Sequence, residues 1–190
     1  MFFGVVKQKG DICTMKEKMT VNETVREALA IALLKLMKRK EINEITVSEL
    51  VEVAGVGRNS FYRNFKSKEQ LLCSYITQLY MEYFKDKNVP LKMSEGNGVV
   101  DFLLPRFRFI KEHGDIFRIL HKRGLLYYFF EEAESDLVAI LCGQMTDTSS
   151  YYMAMLSGSC AGIIRHWIER DFVENEEEMV KIFENPPRRN

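Results

Sequence analysis

Apolar residues recur at helical spacing along most of the chain, most clearly from Val25 to Met37. Val25, Ala28, Leu29, Ala32, Leu33, Leu36 and Met37 stand at i, i+3, i+4, i+7, i+8, i+11 and i+12 and so form one stripe on a helix. Asn22 is placed to cap its start, and Lys38, Arg39 and Lys40 fall where the helix dipole favours cations. A short second helix is predicted from Thr46 to Gly55. Thr46 and Glu49 have capping-box spacing, Val47, Leu50, Val51 and Ala54 give an apolar face, and Gly55 suits a left-handed stop. A helix this short is stable only when packed against neighbours. After Gly55-Val56-Gly57 a third helix covers Arg58 to Phe65. Phe61 and Phe65 face inward and leave Arg58, Asn59, Ser60, Tyr62 and Arg63 outside. Ser67 and Gln70 form another capping box, which opens a longer helix with Leu71, Leu72, Tyr75, Ile76, Leu79 and Tyr83 inward.

Polar residues, Pro90 and two glycines mark a loop from Asp86 to Gly98. Beyond it, helical patterns run over Val99 to His113 and Asp115 to Arg123, with Pro105 predicting a kink or a broken turn and Gly124 closing the second. An aromatic-rich helix is expected from about Leu125 to Cys142, then a loop over Gly143 to Ser149. A long helix follows from about Ser150 to Arg170, and a last one starts near Asn175, capped with Glu178. No repeat and no strand pattern emerges, so the fold class is all-α. Two short helices, a glycine turn and an Arg-bearing second helix make a helix-turn-helix arrangement.

Composition adds a polarity to this picture. Apolar residues make up 46% of the 190 and charged residues 28%, a globular balance. The net charge is zero, so partners cannot be argued from the whole chain. Between Lys35 and Lys68, however, eight basic residues face four acidic ones, and between Asp171 and Glu184 six acidic residues face one basic. A basic segment and an acidic far end suit docking on phosphates by one pole. Cys13, Cys73, Cys142 and Cys160 show neither CxxC nor metal spacing, and read as free thiols in a reducing cytoplasm. His113, His121 and His166 have no i, i+4 pairing, so neither a metal nor any other cofactor is expected. The apolar run Phe2 to Val6 is too short for a signal-peptide core, and no stretch reaches membrane-spanning length. No nucleophile with a base and an orienting group stands out, so no enzymatic activity is expected.

From Ile45 to Leu71 the sequence resembles the tetracycline-repressor (TetR) family of bacterial regulators. The residues that carry the likeness are Ile45-Thr46-Val47 with Leu50, Ala54-Gly55-Val56, Phe61-Tyr62-Arg63-Asn64-Phe65 and Lys66-Ser67-Lys68-Glu69-Gln70-Leu71. A weaker likeness covers Gly162 to Glu169 followed by Glu176-Glu177-Glu178-Met179, where many members carry the two helices that form the dimer. The resemblance implies a flexible tail over 1–20, a helix-turn-helix DNA-binding domain over 21–80, and a helical ligand-binding and dimerisation domain over 81–190. It also implies a cytoplasmic homodimeric repressor on a pseudo-palindromic double-stranded operator, its affinity modulated by a small, largely apolar effector. One departure stands out: the position before Arg58, often Ser or Thr in the family, is Gly57.

Within that frame Thr46, Arg58, Asn59, Ser60, Tyr62, Arg63, Lys66 and Lys68 are the expected DNA contacts. On an isolated short helix the same residues would read as solvated surface. Arg matches guanine O6 and N7 and Asn matches adenine N6 and N7, whereas Tyr62, Thr46 and the lysines suit phosphates. Lys66 and Lys68 lie at a helix start, where cations oppose the dipole. Phe107, Phe117, Tyr127 and Phe130 are candidate walls of an apolar ligand pocket, although each by itself suits a core. Met153, Leu156, Cys160, Ile163 and Trp167 recur at three- and four-residue steps, and Gly162 is among small residues that let another helix approach, so Leu156, Cys160, Gly162, Ile163 and Trp167 make a candidate dimer seam, with an intramolecular seam as the alternative. Gly57 and the modest basic excess leave a second reading open, in which the same fold acts through a protein partner without binding an operator.

Overall fold

The computed structural model describes residues 21–89, 99–130 and 148–184, and every regular element among them is helical. In chain order these are α1 (Val21–Met37), a 3₁₀ turn (Ile42–Glu44), α2 (Val47–Ala54), α3 (Arg58–Asn64), α4 (Lys68–Asp86), α5 (Val99–Glu112), α6 (Gly114–Lys122), α7 (Thr148–Glu169) and α8 (Glu176–Glu184). Residues 127–130 are also helical, and the rest of the expected aromatic helix lies outside the described residues, as does the expected tail over 1–20.

Helix α1 is the hub, packed against α2, α3, α4 and α6. Its buried set, Leu29, Ala30, Ala32, Leu33, Leu34 and Met37, is wider than a single stripe because neighbours approach from several sides. Asn22 is itself helical, so it is not the expected cap. In α4 the buried line is Leu72, Ile76, Tyr80 and Phe84, whereas the expected Tyr75, Leu79 and Tyr83 are half-buried. Successive four-residue steps drift around a 3.6-residue helix. The buried face therefore turns toward α5, where Phe109 meets Tyr80 edge-on at 5.2 Å. Helix α4 also runs unbroken through residue 80, where the domain boundary was expected.

Pro105 does not break α5, which continues to Glu112. The Arg106 side chain folds back to donate to the Phe102 carbonyl at 2.6 Å, and its guanidinium lies over the rings of Phe84 and Phe102. Helix α8 packs on α5, joined by Arg108–Glu177 at 2.6 Å and Lys111–Glu176 at 3.2 Å. Asn175 and Glu178 form the expected reciprocal cap of α8, each side chain accepting the other's amide at 2.8 Å. Between α7 and α8 both Asp171 (φ 55°) and Phe172 (φ 57°) are left-handed, a conformation that is costly for a bulky side chain. Burial of the Phe172 ring edge-on to Trp167, 5.0 Å away, and a bond from its amide to the Trp167 carbonyl at 2.9 Å hold it there.

Candidate nucleic-acid interface

The helix-turn-helix is assembled from its caps upward. Thr46 Oγ1 accepts the Glu49 amide at 3.2 Å and starts α2. The Glu49 carboxylate pairs with Lys40 Nζ at 2.7 Å instead of returning to the Thr46 amide, so only half of the expected box forms. Gly55 ends α2 at φ 68°, and the Val56 amide returns to the Val51 carbonyl at 3.0 Å. Gly57 occupies the cap position of α3 with no side-chain bond to offer. Phe61 is buried and meets Phe65 at 6.1 Å, which turns the opposite face of α3 to solvent. Arg58, Asn59, Tyr62 and Arg63 stand on that face, with Tyr62 62% exposed, whereas Ser60 is half-buried. The Ser60 carbonyl accepts Asn64 Nδ2 at 2.8 Å.

Among the described residues, no carboxylate pairs with Arg58, Arg63 or Lys66. Arg58 Nη2 donates instead to Ser48 Oγ on α2, a residue the sequence had not singled out. Cations left without acids keep their full charge for an incoming anion. Ser67 Oγ caps α4 by accepting the Gln70 amide at 3.1 Å, and Gln70 Oε1 accepts the Lys66 amide at 2.7 Å, one residue earlier than the box requires. Lys68 differs from Lys66. Its ammonium donates to the Ile42 and Ile45 carbonyls, both at 2.5 Å, and so ties the start of α4 to the turn before α2. That gives a structural reason for a cation at a helix start which the sequence could not supply, since its partners lie more than twenty residues away.

Among the described residues the four candidate pocket residues have different ring neighbours. Phe107 is buried edge-on to Trp167 at 5.5 Å, and Phe117 is buried against Phe129 at 4.9 Å. Phe130 packs on Phe129 at 5.6 Å, while Tyr127 is half exposed beside Tyr128. Tyr80 and Phe84, which the sequence had not singled out, join Phe109, Phe117 and Phe129 in one aromatic cluster of the core. Two open grooves are present elsewhere. One of about 670 Å³ lies between α1 and α4, with Arg26, Gln70 and Thr77 in its lining, and one of about 380 Å³ lies between α7 and α8.

The seam residues separate as well. Trp167 is 1% exposed and donates from Nε1 to the Glu174 carbonyl at 3.0 Å, so its ring belongs to the core of a single chain, a correction to the expected seam. Cys160, Gly162 and Ile163 are half-buried, and the Leu156 side chain lies outside the described residues. Burial pushes the Cys160 thiol above its ordinary pKa, which keeps it protonated. The exposed line on α7 is Tyr151, Met155, Gly158, Ser159 and His166, rotated from the predicted stripe, and Ile182 on α8 is exposed beside it. Among the described residues no three His, Cys, Asp or Glu side chains gather as a metal would require, and no helix is long and apolar enough to cross a membrane.

Comparison with known proteins fits this geometry. Residues 32–74 match the profile of bacterial regulatory proteins, tetR family, and residues 99–185 match that of a transcriptional regulator C-terminal region. The chain belongs to the tetR family. Its helix-turn-helix segment, α2 and α3 packed on α1, lies within the matched residues 32–74. The chain is 25% identical over 164 residues to the uncharacterized HTH-type transcriptional regulator YxbF of Bacillus subtilis (strain 168). That match takes in 82% of this chain and 42% of that protein, so the chain spans less than half of the relative's length. Two solved structures share the fold. The dihydroxyacetone kinase operon activator DhaS is 20% identical with a TM-score of 0.54, covering 83% of this chain and 90% of that one. The fatty acid degradation regulator FadR from Bacillus halodurans is 14% identical with a TM-score of 0.54, covering 87% and 93%.

Proposed function

We propose that this tetR-family regulator is a homodimeric repressor that reads a pseudo-palindromic operator with two copies of α3 and releases it when a small, largely apolar effector binds. The observation that carries the DNA half is the α3 face, where Arg58, Asn59, Tyr62 and Arg63 are exposed together and neither arginine has an acid partner among the described residues. Arg58 and Asn59, at the N-terminal end of α3, face base edges. Tyr62, Arg63, Lys66, Thr46 and Ser60 serve phosphates, and Lys68 serves by holding the turn before α2 against the start of α4. Half-sites about 34–36 Å apart then require two chains, and the exposed small-residue face of α7 with α8 is the surface that joins them.

Effector control follows from α4, which starts at the DNA motif and ends against the aromatic core through Tyr80 and Phe84. A ligand entering beside Phe117, Phe129 and Phe130 would tilt it and change the spacing of the two α3 helices. A coupling of roughly 1–3 kcal/mol is typical, and operator DNA must then weaken ligand binding by the same factor. Affinity for duplex DNA across a salt series tests the first half, with log K expected to fall against log salt with a slope of about −0.9 per phosphate neutralised. Binding indifferent to salt refutes it. Calorimetry of an apolar effector with and without operator tests the second half, and equal affinities refute it.

A further inference from the structure

We infer that Ser48 is a positioning residue for Arg58, fixing the direction in which that guanidinium meets a base pair. The inference rests on the reading of the α3 face as the face that contacts bases. Ser48 is the second residue of α2, half-buried, on a helix held by the Thr46 cap, by Leu50 and Val51 in the core, and by the Lys40–Glu49 pair. Its Oγ accepts from Arg58 Nη2, so the flexible arginine at the start of the seven-residue α3 is tied to a neighbouring rigid element. The acceptor is neutral. A carboxylate at this place would neutralise Arg58 and compete with DNA, whereas a hydroxyl restrains the side chain and leaves its charge intact. A guanidinium has five N–H donors, so one bond to Ser48 leaves enough for a bidentate pair with guanine O6 and N7. Gly57, which lacks a hydroxyl, supplies no restraint from α3's own cap, and Ser48 supplies one from across the turn.

The test begins with selection of a duplex from a random-sequence pool by the wild-type protein. Affinities are then measured on that duplex and on its single base-pair substitutions for Arg58→Ala, Ser48→Ala, Ser48→Gly, Ser48→Thr and the Ser48→Ala/Arg58→Ala double variant. Loss of the Ser48 hydroxyl is expected to weaken the selected duplex about two- to tenfold, the cost of ordering one freed long side chain. It should flatten discrimination at the same base pair that Arg58→Ala flattens, with an unchanged salt slope because no charge is removed. Ser48→Thr should restore discrimination, and Ser48→Ala should add nothing when Arg58 is already absent. Uniform weakening with the base pattern intact, unchanged discrimination, or tighter binding would each overturn the inference. Failure of the wild type to select any duplex would overturn the underlying reading instead, and is seen before any variant is made.

Discussion

Arg123 Nε donates to the Met37 carbonyl at 2.8 Å, so a side chain just past the end of α6 caps the last residue of α1. Its Nη1 also meets Glu41, and the side chain is only 9% exposed. The last carbonyls of a helix have no intrahelical partner, and here one is satisfied by a side chain 86 positions further along the chain. Arg123→Ala should therefore destabilise the fold by about 1–3 kcal/mol, the range for orphaning a part-buried acceptor that had a charged donor. Arg123→Lys should recover only part of this, because an ammonium cannot serve both partners as the planar fork does. Denaturant unfolding measures both, and an alanine variant as stable as wild type would deny Arg123 this role.

Gly57→Ser is expected to strengthen the protein rather than harm it. The residue has an ordinary φ of −77°, and an added Cβ would meet nothing within 4 Å. A serine cap should stabilise α3 by a few tenths of a kcal/mol. It should also tighten DNA binding through one more hydroxyl, with the salt slope unchanged. Thermal melting and a binding titration read the two effects separately.

The two lysines at the start of α4 should behave differently. Lys66→Ala should weaken binding to all duplexes alike and flatten the salt slope by about one phosphate, with little change in stability. Lys68→Met removes the donor to two backbone carbonyls and should lower stability by about 1.5–3 kcal/mol, the range for a charged hydrogen bond. If Lys68→Met melts like wild type while losing phosphate contacts, the ammonium serves DNA and not the fold.

Gly162→Leu isolates the proposed dimer seam. Within one chain a Cβ at Gly162 has open space, so the single chain should fold with the larger residue. A second chain approaching α7 closely would be blocked, and light scattering should report monomers. A variant that remains dimeric places the seam elsewhere.

Acid should loosen α8. The hydrogen bond from Arg108 holds the Glu177 carboxyl below its ordinary pKa of 4.5. A depressed folded pKa means that this contribution is fully present above 4.5 and is lost as pH falls through the lower folded value. Trp167, the only tryptophan, bonds to the Glu174 carbonyl just ahead of α8 and offers a fluorescence probe. Its acid transition should move to higher pH in Arg108→Ala, and an unmoved midpoint would refute the assignment.

Much of this protein is local, and its sequence alone determined that part. The i, i+3, i+4 stripes, the Thr46, Ser67 and Asn175 caps and the left-handed Gly55 and Gly124 stops are written in residues a few positions apart, so the helices and the helix-turn-helix face were legible. Tertiary structure decided what depends on partners distant in the chain. Lys68 became a clamp because two carbonyls from the turn before α2 lie beside it, and Arg58 gained Ser48 as an acceptor. Trp167 went to the core because Glu174 and Phe107 met it there, and the buried line of α4 drifted onto Tyr80 and Phe84 because α5 lies on that side. Periodicity shows that a helix has an apolar face; which neighbour covers it, and which polar group finds a partner, is fixed only when separate helices pack.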